Sequence, residues 1–382
     1  MLTIDSDDLL SLDVAEGDLA DDVRPDSTVT WSTDWTVATL VDQLSRGRFD
    51  LEPAFQRRDV WSDVKRSRFI ESLLLGIPVP QIILAERRET RGRFIVLDGK
   101  QRLRSLQRFA GLDGPPMRLT GLEVLKSLNG TTFPAIRDSD EFEAHAAALD
   151  NQAIRAVVLR GWANESLLYL TFLRLNSNVV GLSPQELRRA LHPGPFMEYI
   201  MQASSESRSL QRFLGTKNPD FRMRDAEVLI RHVALTLRLR EYRGDLRRFL
   251  DETCEEYNRL WTREAAKVVA TGEGLDAAID VTFEIFDKNA FRRASSRGYE
   301  PRKNRAVLDI MAFYFQHHEV RNAALNEAHR VREIFEDRCR RDDEFSASLT
   351  ATTKSVPAVH RRLGVWGVAL SSIVPAAGRY VP

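Results

Sequence analysis

Phe94-Ile95-Val96-Leu97-Asp98-Gly99-Lys100-Gln101-Arg102 is the stretch on which the fold turns. A short apolar run of strand length meets Asp98-Gly99, a turn pair, and the hydrophobic period then becomes helical. From Gln101 onward Leu103, Leu106 and Ala110 fall on one face, and Gly111 stands where a helix C-cap is expected. The stretch therefore predicts strand, tight turn, helix. Upstream, Gln81–Ala85 is a second apolar run, and polar Glu86–Gly92 between the two predicts a hairpin. Ser62–Gly76 reads as a helix with Ile70, Leu73, Leu74 and Ile77 on one side, stopped by Pro78 and Pro80. Trp35–Arg46 reads as a shorter amphipathic helix through Val37, Leu40, Val41 and Leu44. Downstream, 113–150 reads as a loop-rich insertion, Ile154–Leu159 as a strand and Glu165–Leu175 as a helix. Ser183-Pro184-Gln185-Glu186 is a capping box, with Ser183 as N-cap and Glu186 reaching back. From there to Ala369 the periodicity is helical almost throughout, with Ala226, Leu229, Ile230, Val233 and Leu237 as one stripe.

The expected class is α+β. An acidic tail over 1–28 precedes an α/β domain over 29–190 and an all-helical domain over 191–382. A chain of 382 residues has room for two domains and ample core. Its 43% hydrophobic and 29% charged residues exclude an intrinsically disordered class. No apolar run approaches the roughly 18 residues that a membrane span needs. The N-terminus is acidic where a secretory signal would be basic and then apolar, so a cytoplasmic location is expected. Two cysteines, Cys254 and Cys339, exclude a disulfide framework and a cysteine-built zinc site. The zero net charge conceals a split. Nine acidic residues against Arg24 give residues 1–30 a charge of −8, leaving +8 on the rest. Arginine supplies most of the positive charge, which suits forked contacts to phosphate and also follows from genomic base composition.

Four segments can carry chemistry. The first turn of the helix after Gly99 exposes N–H groups at the positive end of its dipole, which suits a phosphate. Lys100 and Arg102 add charge there, and Asp98 can hold Mg²⁺ or a sugar hydroxyl. The plain alternative is a capped helix with solvated cations. Phe55-Gln56-Arg57-Arg58-Asp59-Val60-Trp61 places two arginines and an amide beside aromatics; it reads as a phosphate, base or DNA-backbone contact, or as core rings beside a solvated pair. Asn176, after the Glu165–Leu175 helix, is a ligand contact or a helix-ending residue. Arg292, Arg293, Arg297, Arg302, Lys303 and Arg305, opposed only by Glu300, can follow a nucleic-acid backbone or form a solvated loop. No Ser–His–Asp signature, phosphate-cradling Gly-rich loop before Lys-Ser or Lys-Thr, or metal-spaced histidine group is present.

Together these pieces resemble the GmrSD restriction endonuclease N-terminal domain family, long labelled domain of unknown function 262. The matching pieces are Gln56-Arg57 through Trp61, Ile70-Glu71-Ser72-Leu73-Leu74-Leu75-Gly76-Ile77-Pro78-Val79-Pro80, the Asp98–Arg102 box, and Asn176 to Arg189. The resemblance implies a ParB/sulfiredoxin-like α/β domain with a helical extension. It implies nucleoside triphosphate binding and hydrolysis at the Asp-Gly box, with Mg²⁺ at Asp98 and GTP, ATP or CTP as substrate. In that reading Gln101 orients water, Gly99 allows close phosphate approach, and Lys100 and Arg102 neutralise charge. Gln56, Arg57, Arg58 and Asn176 complete the nucleotide site. The implied role is defence against phage, with DNA and an effector or nuclease subunit as partners, a homo-oligomer as an option, and no membrane. Two departures stand out. Lys100 replaces the usual Gln of the box, and the His-Asn-His motif of the nuclease members is absent from this sequence. The competing reading is a non-catalytic DNA-binding sensor or adaptor. A stand-alone nuclease is the weakest, since no paired carboxylates or metal-ligand cluster supports it.

Overall fold

The computed structural model describes residues 28–51, 61–162, 164–175, 183–220, 222–350 and 353–382. The chain divides into two compact units between Leu191 and His192.

The N-terminal unit is built on a four-stranded sheet of order β1-β4-β2-β3. Its strands are β1 (Val29–Thr36), β2 (Ile82–Glu86), β3 (Phe94–Asp98) and β4 (Ala153–Arg160). β2 and β3 form the expected antiparallel hairpin, and β2 runs parallel to β4. Between Ile83 and Leu84 the register slips, leaving Leu97 as an extra residue in β3 just before Asp98. Such a bulge bends a strand and re-aims the side chains that follow it. Phe94 N–H donates to the Arg48 carbonyl and Asp50 N–H to the Phe94 carbonyl, so residues 48–50 line the outer edge of β3.

Around the sheet stand α1 (Val37–Ser45), α2 (Asp63–Leu74), α3 (Lys100–Phe109), α4 (Phe133–Arg137), α5 (Glu143–Asn151), α6 (Glu165–Leu175) and α7 (Pro184–Leu191). The sheet and α1 to α5 share a core that gathers Leu40, Ile70, Leu73, Ile82, Leu84, Val96, Leu103, Leu106 and Val158. Two expectations are corrected. The segment read as a helix from Trp35 begins as strand: Val29–Thr36 is rich in Thr and Trp, pairs residue by residue with β4, and only at Thr36 turns into α1. Thr36 Oγ1 accepts from Thr39 N–H at 3.2 Å, and this cap sets the boundary. The 113–150 segment is not merely loop. It holds α4 and α5, which bury Phe133, Ile136 and Leu149. Its 121–125 stretch is held by buried Glu71, whose carboxylate accepts from the backbone amides of Glu123, Val124 and Leu125. Burial pushes the Glu71 carboxyl up, but the three amides outweigh it and hold it below the usual range.

The C-terminal unit is helical, as the periodicity predicts: α8 (Pro195–Glu206), α9 (Arg208–Leu214), α10 (Arg224–Leu237), α11 (Leu246–Phe286), α12 (Arg305–Phe315), α13 (His318–Asn326), α14 (Ala328–Arg341), α15 (Asp343–Ser348) and α16 (Val356–Ser371). The exception is a two-residue ladder, β5 (Ala294–Ser295) with β6 (Gly298–Tyr299), inside the basic run. α11 spans 41 residues, about 60 Å, and Asp245 caps its start by accepting from Arg248 N–H at 3.0 Å. α8 crosses it closely at Gly272, where a Cβ would stand 2.2 Å from the Tyr199 hydroxyl oxygen. Charge is buried as well as apolar surface. Asp309 of α12 accepts from Arg231 of α10 through two bonds of 2.7 Å and from Arg362 of α16 at 2.8 Å. Cys254 and Cys339 are buried free thiols.

Candidate functional site

The Asp-Gly box forms where β3 ends. Gly99 takes φ +97, and a Cβ there would lie 2.6 Å from Ile82 Cγ2 of the neighbouring strand. Only glycine meets both demands, so the turn is as tight as the chain allows. Gly99 is also the N-cap of α3, and no side chain caps this helix. The start of α3 therefore presents its dipole without a capping oxygen, the local condition that favours an anion.

The box's charged side chains are arranged in pairs. Asp98 Oδ1 accepts from Gly99 N–H at 2.7 Å and Oδ2 from Arg102 at 2.9 Å. Arg102 also donates to the Gln81 carbonyl at 2.9 Å, which ties the first turn of α3 to the segment entering β2. Asp98 remains 40% exposed in its side chain while Arg102 is 13% exposed, so the carboxylate faces outward and the guanidinium is packed. Lys100 turns to Glu186, donating at 3.1 Å, with both side chains largely covered. Glu186 closes the capping box of α7: its other oxygen accepts from Ser183 N–H at 2.6 Å, and Ser183 Oγ accepts from Glu186 N–H at 3.1 Å. The Gln101 amide oxygen is buried and accepts no hydrogen bond. That orphaned acceptor beside an uncapped helix start fits a ligand that brings a donor or a cation. Asp98 fits a divalent ion through the lone pairs left by Gly99 and Arg102.

Asp98, Gly99, Lys100, Gln101 and Arg102 thus stand at one strand–helix junction. Gln56, Arg57, Arg58 and Asn176 lie outside the described residues. The basic run is divided in its use. Arg293 pairs with Glu300 and donates to Ser346, and Arg305 pairs with Glu227 at 3.0 Å. Lys303 donates to the carbonyls of Arg212 and Phe213. Arg297 and Arg302 are exposed, and Arg292 is half-buried. Sequence reading places Glu186 only as a cap; its tie to Lys100 bridges 86 positions and has no local signal. Arg212, of α9, escapes it for the same reason.

No curated protein matches the chain. The family model of the GmrSD restriction endonuclease N-terminal domain matches residues 37–193, a span that holds the whole strand–turn–helix box and the Ser183–Glu186 cap. Over residues 37–193 this chain is therefore similar to the GmrSD restriction endonuclease N-terminal domain.

Proposed function

We propose that the chain is a restriction-type phage-defence protein whose N-terminal unit binds and hydrolyses a nucleoside triphosphate at the Asp98–Arg102 box. The single observation that carries this reading is the uncapped start of α3 at Gly99, with the orphaned Gln101 oxygen in its first turn. A nucleoside triphosphate with Mg²⁺ would supply the scissile phosphoanhydride and a cation to spread its charge. The chain's own part is positioning and charge neutralisation, which is most of what phosphoryl transfer asks of a protein. Asp98 holds Arg102 in place and offers its outward oxygens to the metal or ribose. Gly99 lets the phosphate approach the backbone. Lys100 leaves Glu186 for phosphate, and Gln101 orients water. Release of Glu186 loosens the cap of α7, the last helix of the N-terminal unit, and that change regulates a partner effector.

The test is phosphate release from GTP, ATP and CTP with Mg²⁺, with and without DNA, for wild type and Asp98→Ala. Turnover in wild type that is lost in the variant is the expected result. Undiminished turnover in Asp98→Ala would remove the box from the chemistry. No turnover with any nucleotide would favour the second reading, a non-catalytic DNA-binding sensor. Exposed Arg297 and Arg302 on the C-terminal unit motivate that reading.

A further inference from the structure

The basic run 292–305 is not one surface, and the structure regroups its cations. Arg293 and Arg305 are held by Glu300 and Glu227. Lys303 instead reaches the end of α9, donating to the carbonyls of Arg212 and Phe213, with Nζ 5.4 Å from the centres of both the Phe213 and Phe283 rings. Arg212 lies over that same Phe283 ring, Cζ 4.0 Å from its centre. Asn304 N–H donates to the Phe291 carbonyl at 2.7 Å, which brings the residue after Lys303 against the residue before Arg292. Phe291 takes φ +63, a costly conformation for a bulky side chain, and its ring packs edge-on against Phe213 and Phe283. Arg212 and Lys303 are thereby fixed on one aromatic cluster, and Arg292 follows Phe291 in the chain, near enough for its charge to act on Lys303.

No carboxylate pairs with Arg212, Arg292 or Lys303 among the described residues, and the buried Arg292 Nε has no hydrogen-bond partner. Burial first, and then the charges of Arg292 and Arg212, together draw the Lys303 amine down to about 8. Like charges gathered on partly desolvated rings raise the free energy of the empty cluster, and an anion relieves it. We infer that Arg212, Arg292 and Lys303 form a phosphate-binding anchor on the C-terminal unit. Arg212 and Arg292 offer planar forks for oxyanion contact, while Lys303 serves as a fixed point charge. The phosphate comes from a DNA backbone or from a free phosphate species. The inference is independent of the nucleotide reading of the Asp98 box and deepens the DNA-contact reading of the basic run.

The test uses the full chain and two probes: a fluorescent duplex of arbitrary sequence, titrated at several salt concentrations, and pyrophosphate, followed by calorimetry. The informative variant is Arg212→Gln with Arg292→Gln, which leaves the Lys303 cap of α9 in place. Arg332→Gln, on exposed α14 surface, is the single-charge control. A DNA source predicts duplex binding about tenfold weaker in the double variant and a log–log salt slope shallower by about two. A free-phosphate source predicts lost pyrophosphate binding with duplex binding unchanged. Equal loss in Arg332→Gln would make the effect one of overall charge and overturn the site. So would unchanged binding of both probes in the double variant, or a wild type that binds neither. Because Asp98→Ala leaves this cluster intact, a failed box and a failed anchor give different results.

Discussion

Glu186 has its two carboxylate oxygens on separate tasks. Oε2 caps α7 through the Ser183 amide, and Oε1 holds Lys100. Both side chains of the Lys100 pair are about nine-tenths covered, so their attraction is screened less than that of an exposed pair. A triphosphate that needs Lys100 must compete with that bond, whose charged hydrogen bonding is worth about 1.5–3 kcal/mol. Glu186→Gln keeps an oxygen to cap Ser183 but removes the competing charge. The expected outcome is tighter triphosphate binding, by about tenfold, measured by calorimetric titration. Weaker binding in this variant would mean that Lys100 does not transfer to phosphate. At the turn itself, Gly99→Ala adds a methyl 2.6 Å from Ile82 Cγ2 at a φ of +97. The strain should cost about 1–3 kcal/mol and show as a lowered urea midpoint with an unchanged slope.

At the scale of elements, one buried carboxylate joins three helices. Asp309 of α12 accepts from Arg231 of α10 and Arg362 of α16, and none of the three side chains is more than 6% exposed. Asp309→Asn leaves two guanidinium groups buried without their counter-charge. The expected loss is about 3–5 kcal/mol, read from denaturant unfolding of the C-terminal unit. A loss under about 1 kcal/mol would show that water or nearby carbonyls already satisfy the arginines. Such a triad marks the limit of sequence reading. β3, the turn and α3 were legible because a change of period at Asp98-Gly99 is local, and the Ser183–Glu186 cap was legible because its partners are three residues apart. β1 was not: Val29, Trp31 and Trp35 do alternate with Thr30, Ser32 and Asp34, but the sequence reads as helix from Trp35 onward, and the strand's extent is set by pairing with β4. Glu186 as partner of Lys100, and Arg212 as neighbour of Lys303, depend on contacts 86 and 91 positions apart, where spacing carries no signal. The 292–305 run shows the same limit. Adjacency in sequence grouped six cations, of which the fold ties Arg293 to Glu300, Arg305 to Glu227 and Lys303 to the end of α9, while Arg297 and Arg302 are exposed.

For the whole molecule, the two units have separate cores: one gathers residues from Val37 to Val158, the other from Phe196 to Ala377, with none in common. Separate cores predict two calorimetric transitions, and a single transition with equal calorimetric and van't Hoff enthalpies would contradict this. A histidine provides the means to tell them apart. Burial pulls the His232 imidazole of α10 from 6.5 down to about 4, against the opposing attraction of Asp309. In the folded unit this ring is neutral above about 4, whereas in the unfolded chain it takes a proton below 6.5. The unfolded state therefore binds more protons between these values, and stability falls as pH falls through that window. Above 6.5 the ring contributes no pH dependence, and below about 4 its contribution is complete. The difference amounts to about 3 kcal/mol. Lowering the pH from 7 to 5 should therefore move the transition of the C-terminal unit down by more in wild type than in His232→Gln. The transition of the N-terminal unit should respond equally in both proteins. Equal shifts of the C-terminal transition in the two proteins would show that His232 is protonated in the folded state near its ordinary value, and that its burial is relieved by a partner.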